Sequence, residues 1–246
     1  MKVISFSLWG NDPKYTRGAI RNVQLASALF PDWRCRFYVG KSTDYSFTEN
    51  LQSLTKDWVR YARVDGTWEP MCGGSSTHAP KVEIYHVPEE GDWRGMFWRF
   101  EPAAENNVEA MISRDCDSRL SLRERVAVNE WMESSKGFHI MRDHPWHGTE
   151  ILGGMWGVKR NMLPDMRELM ADWHQEDRWQ TDQDFLKAKI YPRVVNASMI
   201  HASFCGFEAH AQDFPMARLG TEFIGQVFDE NETTIREHVE ALAKVL

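Results

Sequence analysis

Residues 108–124 read VEAMISRDCDSRLSLRE, and this stretch decides which fold the chain can adopt. It opens with a short apolar run, residues 108–113, which has the length of a buried strand. Two aspartates separated by one cysteine, Asp115 and Asp117, follow the run. Ser121 and the glutamate three residues later form a capping box, which marks the start of a helix. The stretch therefore predicts a buried strand, an acidic turn and a helix in succession.

The N-terminal part of the chain predicts a parallel sheet. Residues 3–8 and 35–39 are apolar runs of strand length, and the helical pattern between them stops at Pro31. A strand, a helix and a strand that follow one another this closely form a βαβ unit, whose strands are parallel.

The rest of the chain alternates between strand and helix patterns. Strands are expected at residues 58–64, 82–87, 138–141, 151–158 and 198–202, and helices at residues 48–56, 95–104, 164–174 and 181–190 and from Thr234 onward. Residues 66–81 have turn chemistry without periodicity, and we expect a flexible loop there. We predict one α/β domain over residues 1–246, with a Rossmann-like, mixed but mostly parallel sheet flanked by helices.

Composition and charge exclude several classes of protein. The net charge of −7 argues against a nucleic-acid-binding protein, which would carry a basic face. The four cysteines form no CxxC pair, so we expect neither a zinc site nor a disulfide framework, and a reducing, cytoplasmic location is the simpler expectation. The first apolar run is too short for a secretory signal, and we expect no transmembrane segment.

No glycine-rich phosphate loop follows the first strand, because both GxGxxG and GxxxxGK[ST] are missing from the sequence. A bound diphosphate would therefore need another counter-charge. Asp115 and Asp117 point the same way if the segment is extended, and the carboxyl end of a strand faces the ligand crevice of an open α/β sheet. Two adjacent carboxylates repel each other unless a cation joins them, and Mn²⁺ or Mg²⁺ prefers oxygen ligands. The alternative is an ordinary turn, where aspartate is common.

Residues 112–120, ISRDCDSRL, resemble the DxD motif of GT-A fold glycosyltransferases. Residues 5–22 are similar to the strand, loop and helix that receive the nucleotide base in that family, and residues 151–157 to the glycine-bearing strand beneath the donor sugar. Residues 181–186 resemble the "DQ" helix start of glycogenin-like retaining enzymes. The resemblance implies a GT-A domain that transfers a sugar from a UDP- or GDP-sugar to a carbohydrate or other hydroxyl acceptor. It favours retention of configuration at the anomeric carbon.

The resemblance also implies roles for individual residues. Asp117 would bind the metal directly, Asp115 would contact the ribose or the metal through water, and His201 would be the third metal ligand. Asp182 would lie beside the donor sugar as a catalytic residue. The donor and its nucleotide would be bound by a further group: Trp9, Tyr15, Arg17, Arg94, Arg99, Asp115, Gly153 and Gly154.

A turn with two histidines lies between the strands expected at residues 138–141 and 151–158. For Asp143, His144 and His147 we prefer a catalytic or pocket role toward donor or acceptor, with loop packing as the alternative. Metal binding by the two histidines is less favoured, since zinc needs three or four ligands of fixed geometry.

Structural alternatives stand beside the other predicted roles. His201 could be a hydrogen-bonded core histidine, and Asp182 an acid that stabilises a helix start. Arg94 and Arg99 could be exposed helix residues, and the glycine pair at 153–154 a β-bulge.

Two other classes of function also fit the acidic pair. One is a nucleotidyltransferase or phosphotransferase that uses the same carboxylates with Mg²⁺. The other is a non-catalytic sugar-binding protein that keeps the fold without the metal.

Overall fold

The computed structural model describes residues 1–73, 81–174 and 176–246, and within them nine strands form one sheet. The strands are β1 (Lys2–Leu8), β2 (Trp33–Val39), β3 (Trp58–Val64), β4 (Thr67–Gly73), β5 (Val82–His86), β6 (Ala110–Ser113), β7 (Phe138–Arg142), β8 (Trp156–Lys159) and β9 (Ser198–Ala202). Their order is β4-β3-β5-β2-β1-β6-β8-β7-β9. Only β4 and β8 of these strands run antiparallel to their neighbours. The predicted mixed, mostly parallel sheet is confirmed.

Helices connect most of the strands. They are α1 (Pro13–Leu29), α2 (Tyr45–Ser53), α3 (Leu122–Glu133), α4 (Met166–Ala171), α5 (Thr181–Phe185), α6 (Tyr191–Val194) and α7 (Arg236–Ala243), with 3₁₀ helices at Trp93–Ala104 and Val195–Ala197 and a π-helical turn at Leu186–Ile190. No helix in the described ranges is long and apolar enough to span a bilayer.

The helices α1, α2 and α3 cover one face of the sheet. Alternate residues of β1, such as Ile4 and Phe6, project to this face because side chains alternate along a strand. They pack against Ala19 and Val23 of α1 and against Trp131 of α3, all of them buried. The apolar stripe of α1 read from the sequence is thus the surface that docks on the sheet.

The 3₁₀ helix Trp93–Ala104, α4 and α5 cover the opposite face. Phe97 and Phe100 of the 3₁₀ helix pack with Phe185 of α5, and their ring centroids are 5.4–6.4 Å apart. Phe100 also meets Trp156 of β8 edge to face at 5.2 Å. This aromatic layer fixes the 3₁₀ helix and the start of α5 next to each other at one end of the sheet.

The expected loop at residues 66–81 is only partly a loop. Thr67–Gly73 forms β4, which pairs antiparallel with β3 through a tight turn at Asp65 and Gly66. Both turn residues have positive φ, 48° and 82°, as a two-residue hairpin turn requires, and Asp-Gly is a common sequence for it. The prediction was wrong here because β4 is largely exposed and lacks an apolar pattern. The remaining residues, 74–80, lie outside the described ranges.

Several other element boundaries also differ from the sequence prediction, and two of them have a clear structural cause. The strand expected at residues 151–158 is confined to β8, since the preceding residues turn toward the acidic segment after β6. The last helix begins at Arg236 instead of being capped by Thr234, because Thr234 pairs with Phe228 in a β-bridge.

Candidate active site

A cleft of about 770 Å³ opens at the carboxyl ends of β1 and β6. The ends of these two strands, the 3₁₀ helix, the turn before β8 and the start of α5 all contribute to it. The acidic segment after β6 lies in the cleft, with both Asp115 and Asp117 in its lining. The position agrees with the general rule that open α/β sheets bind ligands beyond the carboxyl ends of their strands.

Buried polar contacts hold the acidic turn in place. Arg114 points away from the cleft, where its guanidinium bonds to Glu124 and donates to the carbonyl oxygen of Ser113 at 2.6 Å. From α1, Asn22 donates to the carbonyl of Ser118 at 2.9 Å and accepts from the amide of Leu120 at 3.1 Å. Asn22 therefore shapes the turn instead of receiving a nucleotide base.

Helix α1 approaches the acidic turn very closely. A Cβ atom at Gly18 would overlap the carbonyl oxygen of Cys116, so a glycine is required where the helix crosses the turn. The start of α1 thereby lies beside the acidic pair.

Each aspartate of the acidic pair faces a cation. Lys14 Nζ lies 2.8 Å from Asp117 Oδ2, and Arg99 forms an ion pair with Asp115. Burial raises the pKa of Asp117 and the charge of Asp115 raises it further, and together they outweigh the opposite effect of Lys14. The two carboxylates therefore repel each other even with these counter-charges in place.

Arg99 links the acidic pair to α5. Its Nη2 donates to Asp182 Oδ2 at 2.8 Å, while its Nη1 contacts Asp115. The Arg99 side chain is only 5% exposed, and the backbone amide of Arg99 donates to Ser7 Oγ at 3.0 Å. Arg99 thus lies in the cleft, where it forms ion pairs with two carboxylates. The alternative of an exposed helix residue is not supported.

Asp182 forms the floor of the cleft at the start of α5. Its side chain is 2% exposed, and Oδ1 accepts from the amide of Gln183 at 2.9 Å while Oδ2 accepts from Arg99. Burial raises the pKa of Asp182, and the nearby guanidinium lowers it by less. Both oxygens already have partners, which favours a positioning role over direct contact with a sugar.

Gly153 and Gly154 pack directly against the carboxylates. A Cβ atom at Gly153 would overlap Asp182 Oδ2, and one at Gly154 would overlap Asp115 Oδ2. The predicted reason for these glycines was close approach of a ligand or a bulge. In the structure it is the close approach of the two acidic side chains themselves.

Aromatic rings form the walls of the cleft. Trp9 and Tyr15 line it on the β1 side, and Trp93 and Trp179 line it at the mouth. Trp93 is 41% exposed and Trp179 is 65% exposed, which is unusual for tryptophan in a folded protein. The cleft therefore offers flat apolar faces next to carboxylates.

Arg17 and Arg94 do not line the cleft. Arg17 donates to the backbone carbonyl of Glu230 at 3.0 Å, and Arg94 pairs with Asp92 at the surface. The partner of Arg17 lies outside the cleft lining, and the partner of Arg94, Asp92, lies at the rim of the cleft. The predicted contacts of both arginines with the donor are therefore not supported.

Asp143 and His144 lie in the interior, and the predicted catalytic role does not fit them. Asp143 is fully buried and pairs with Arg123 at 3.0 Å and with Arg218 at 2.5 Å. His144 contacts the carbonyl oxygen of His238 at 2.9 Å. Both residues hold the C-terminal segment onto the end of β7, since their partners come from that segment and from α3.

His201 is not brought to the aspartates, which contradicts its predicted role as third metal ligand. Its Nδ1 lies 2.8 Å from His139 Nε2, and its Nε2 lies 3.1 Å from Glu130 Oε2. It belongs to β9, three strands away from β6, or about 14 Å at the usual strand spacing. The core-histidine alternative is the one that the structure supports.

The donor set at the acidic pair fits a divalent cation. Asp115 and Asp117 present hard oxygen donors to an open cleft, and their mutual repulsion would be relieved by a cation. In the described residues no group of three or more His, Cys, Asp or Glu side chains is arranged to hold a metal. A cation held here would therefore take its other ligands from water or phosphate, as Mg²⁺ sites commonly do.

Sequence reasoning missed two groups that shape the site. Lys14 pairs with Asp117, and the segment around Val227 returns from the C-terminal part to line the cleft. Lys14 carried a weak signal, being the first charged residue after the loop that follows β1. Val227 carried none, since it pairs with Ser118 only through an isolated β-bridge.

Comparison with known proteins yields weak structural likenesses only. No protein-family model and no curated protein matches the sequence. A glycosyltransferase involved in glycosylation of the major capsid of PBCV-1 is 11% identical, with 82% of this chain and 81% of that one covered and a TM-score of 0.49. A Pyrobaculum calidifontis mannosyltransferase solved with GDP-Man and Mn²⁺ is 13% identical, with 66% and 45% covered and a TM-score of 0.44.

A different activity occurs among the same likenesses. A 4-diphosphocytidyl-2C-methyl-D-erythritol synthase from Anaerococcus prevotii is 8% identical, with 99% of this chain and 97% of that one covered and a TM-score of 0.46. Identities this low and TM-scores below 0.5 leave the activity of this chain to be inferred from its own site.

Proposed function

We propose that this chain is a GT-A glycosyltransferase, dependent on Mn²⁺ or Mg²⁺, that transfers a sugar from a UDP- or GDP-sugar to a hydroxyl acceptor. The observation that carries the proposal is the acidic pair: Asp115 and Asp117 both line an open cleft. A divalent cation bound there supplies Lewis acidity toward the departing diphosphate.

The size and walls of the cleft support a nucleotide-sugar donor. A volume of about 770 Å³ falls within the range of small-molecule and cofactor sites. Trp9 and Tyr15 offer ring faces beside the acidic pair, and the flat face of a base or the C–H face of a sugar packs well on such rings. The donor would therefore lie with its diphosphate near the aspartates.

Arg99 and Asp182 support the chemistry indirectly. Arg99 holds Asp115 in one orientation, and Asp182 in turn holds Arg99, so Asp115 is fixed before a ligand arrives. A fixed arrangement costs no reorganisation during reaction, which is the main source of electrostatic catalysis. We infer a positioning role for Asp182, since both of its oxygens are already bonded.

The acceptor would enter at the mouth of the cleft. Trp93 and Trp179 are exposed there, and their faces suit the C–H surface of a carbohydrate. Holding an acceptor hydroxyl next to the anomeric carbon is the remaining contribution that the cleft makes to the reaction.

Ligand-induced stabilisation tests the proposal. We expect UDP or GDP to cause a metal-dependent shift, a rise in melting temperature that is far larger with Mn²⁺ or Mg²⁺ than in EDTA, because a ligand that binds the folded state stabilises it. Asp117→Asn should abolish this shift without lowering the melting temperature of the free protein. Asp184→Asn is the matched control, since Asp184 is an exposed acid of α5 that pairs with Arg178 outside the cleft.

The products of slow hydrolysis separate the candidate activities. A glycosyltransferase breaks the bond at the anomeric carbon and releases a nucleoside diphosphate and a free sugar. Release of a nucleoside monophosphate and a sugar phosphate would instead indicate the nucleotidyltransferase or phosphotransferase alternative. Failure of every nucleotide to bind would favour the non-catalytic protein.

A further inference from the structure

Lys14 lies against the acidic pair from the start of α1. Its Nζ is 2.8 Å from Asp117 Oδ2, and the two side chains are 28% and 14% exposed. The carboxylate of Asp12 accepts from the Lys14 amide at 2.9 Å, so the backbone of Lys14 is fixed while its side chain spans the gap to the acidic turn. The ammonium of Lys14 and the carboxylate of Asp117 thus form an ion pair at the edge of the cleft.

An ammonium group and a divalent cation compete for the same carboxylate oxygen, because each is attracted by the same negative charge and the two repel each other. Mg²⁺ or Mn²⁺ bound at Asp117 would lie about 2.1 Å from the oxygen that Lys14 contacts in the structure. Two cations this close would repel each other strongly in a partly buried site. Binding of the metal through this oxygen therefore favours movement of Lys14 away from Asp117.

Lys14 is free to move in a way that Arg99 is not. Arg99 is 5% exposed and bonded to two carboxylates, Asp115 and Asp182. In the described part of the chain Lys14 pairs with one carboxylate, and its flexible four-carbon stem lies at the edge of the cleft. A diphosphate bound between the metal and the start of α1 would lie within reach of the displaced ammonium.

We propose that Lys14 is an internal counter-ion, which neutralises Asp117 until the divalent cation binds and then moves onto the diphosphate of the donor. The proposal rests on the proposed function for its second step. The diphosphate draws Lys14 away from Asp117 and so clears the metal site, while the metal releases Lys14 for the diphosphate. Each ligand then strengthens the binding of the other by the same factor, as linkage requires.

The test measures binding without turnover. The full chain and its Lys14→Gln variant are titrated with Mn²⁺ alone by electron paramagnetic resonance, with UDP and GDP in EDTA by calorimetry, and with both together. Lys14→Gln should bind Mn²⁺ alone about five- to tenfold tighter and the nucleoside diphosphate about five- to tenfold weaker. The factor by which Mn²⁺ improves nucleotide binding should be smaller than in the wild type, because only the direct contact between metal and diphosphate remains.

Two further variants serve as controls. Lys14→Met repeats the experiment without an amide that could itself bond to Asp117. Lys41→Gln removes an exposed lysine whose Nζ is 3.9 Å from Glu90, and it should leave both affinities unchanged. Far-ultraviolet circular dichroism and the melting temperature establish that each variant is folded.

Opposite changes in the two affinities support the proposal. Unchanged or weaker binding of Mn²⁺ alone in both Lys14 variants overturns it, as does tighter Mn²⁺ binding with unchanged nucleotide affinity. If neither UDP nor GDP binds to any of the proteins, the proposed function falls together with this inference. If the nucleotides bind equally well to all of them, only the inference about Lys14 falls.

Discussion

Asp115 and Asp143 each follow a strand and pair with arginine, yet they serve different purposes. Asp143 is fully buried between Arg123 and Arg218, so each side of its carboxylate is satisfied inside the protein. The side chain of Asp115 is 46% exposed, because Arg99 covers only one side of it. An acid that follows a strand becomes available to a ligand only where the fold leaves part of the carboxylate uncovered.

The largest effect is expected when the buried aspartate of the two, Asp143, is replaced. Asp143→Ala should lower the free energy of unfolding by about 3–5 kcal/mol, because two arginines would be left in the interior without their counter-charge. Urea denaturation measures the loss. Asp165→Ala is the control: Asp165 pairs with Arg193 at 2.9 Å and both side chains are 41% exposed, so a loss of about 1 kcal/mol or less is expected. Equal losses in the two variants would contradict the structural role of Asp143.

The second largest effect is expected at Asp182, which supports the partly exposed Asp115 through Arg99. Asp182→Asn should lower the rate of nucleotide-sugar hydrolysis by about 10–100-fold, the usual cost of removing a group that orients a ligand-binding side chain. Arg99 would lose its charged partner on α5 and hold Asp115 less firmly. Asp184→Asn on the same helix should keep the wild-type rate. A normal rate in Asp182→Asn would show that Arg99 needs no second carboxylate.

A smaller effect is expected when the backbone beside Asp115 is enlarged. Gly154→Ala places a methyl group where Asp115 Oδ2 lies, so the carboxylate must shift and the Mn²⁺-dependent nucleotide affinity should fall about tenfold. Calorimetry with and without Mn²⁺ gives the affinity. Gly148→Ala is the control, because a Cβ atom there meets nothing within 4 Å. An unchanged affinity in Gly154→Ala would mean that the position of Asp115 is not critical.

The smallest effect is the pH dependence of the free energy of unfolding that arises from two buried histidines, His139 and His201. Burial lowers the pKa of both His139 and His201 from the ordinary value of 6.5, so the unfolded chain binds more protons than the folded one just below that pH. Their contribution to stability is therefore complete above pH 6.5 and is lost as the pH falls from 6.5 through the lowered pKa values of the folded state. Urea denaturation across this range should show a weaker pH dependence for His201→Gln. The exposed His174→Gln variant should follow the wild type.

The strands next to the site were predictable from sequence because their signals are local. The apolar runs of β1, β2 and β6 are bounded by turn residues, and Ser121 caps α3 as predicted, with Ser121 Oγ accepting from the Glu124 amide at 3.2 Å. The other half of the predicted capping box is not formed, because the Glu124 carboxylate pairs with Arg114. The edge strand β4 was missed because its residues are mostly exposed and only the Asp65-Gly66 turn marks the hairpin.

By itself, the sequence determined the α/β class and the placement of an acidic pair after a central strand, since both follow from apolar periodicity and the order of neighbouring residues. Only the tertiary structure decided which distant side chains join the pair. It brought Arg99, Lys14 and Asp182 to the cleft and left His201 three strands away. The physical reason is that strand order and helix packing determine which residues from separate segments meet, and no local pattern carries that information.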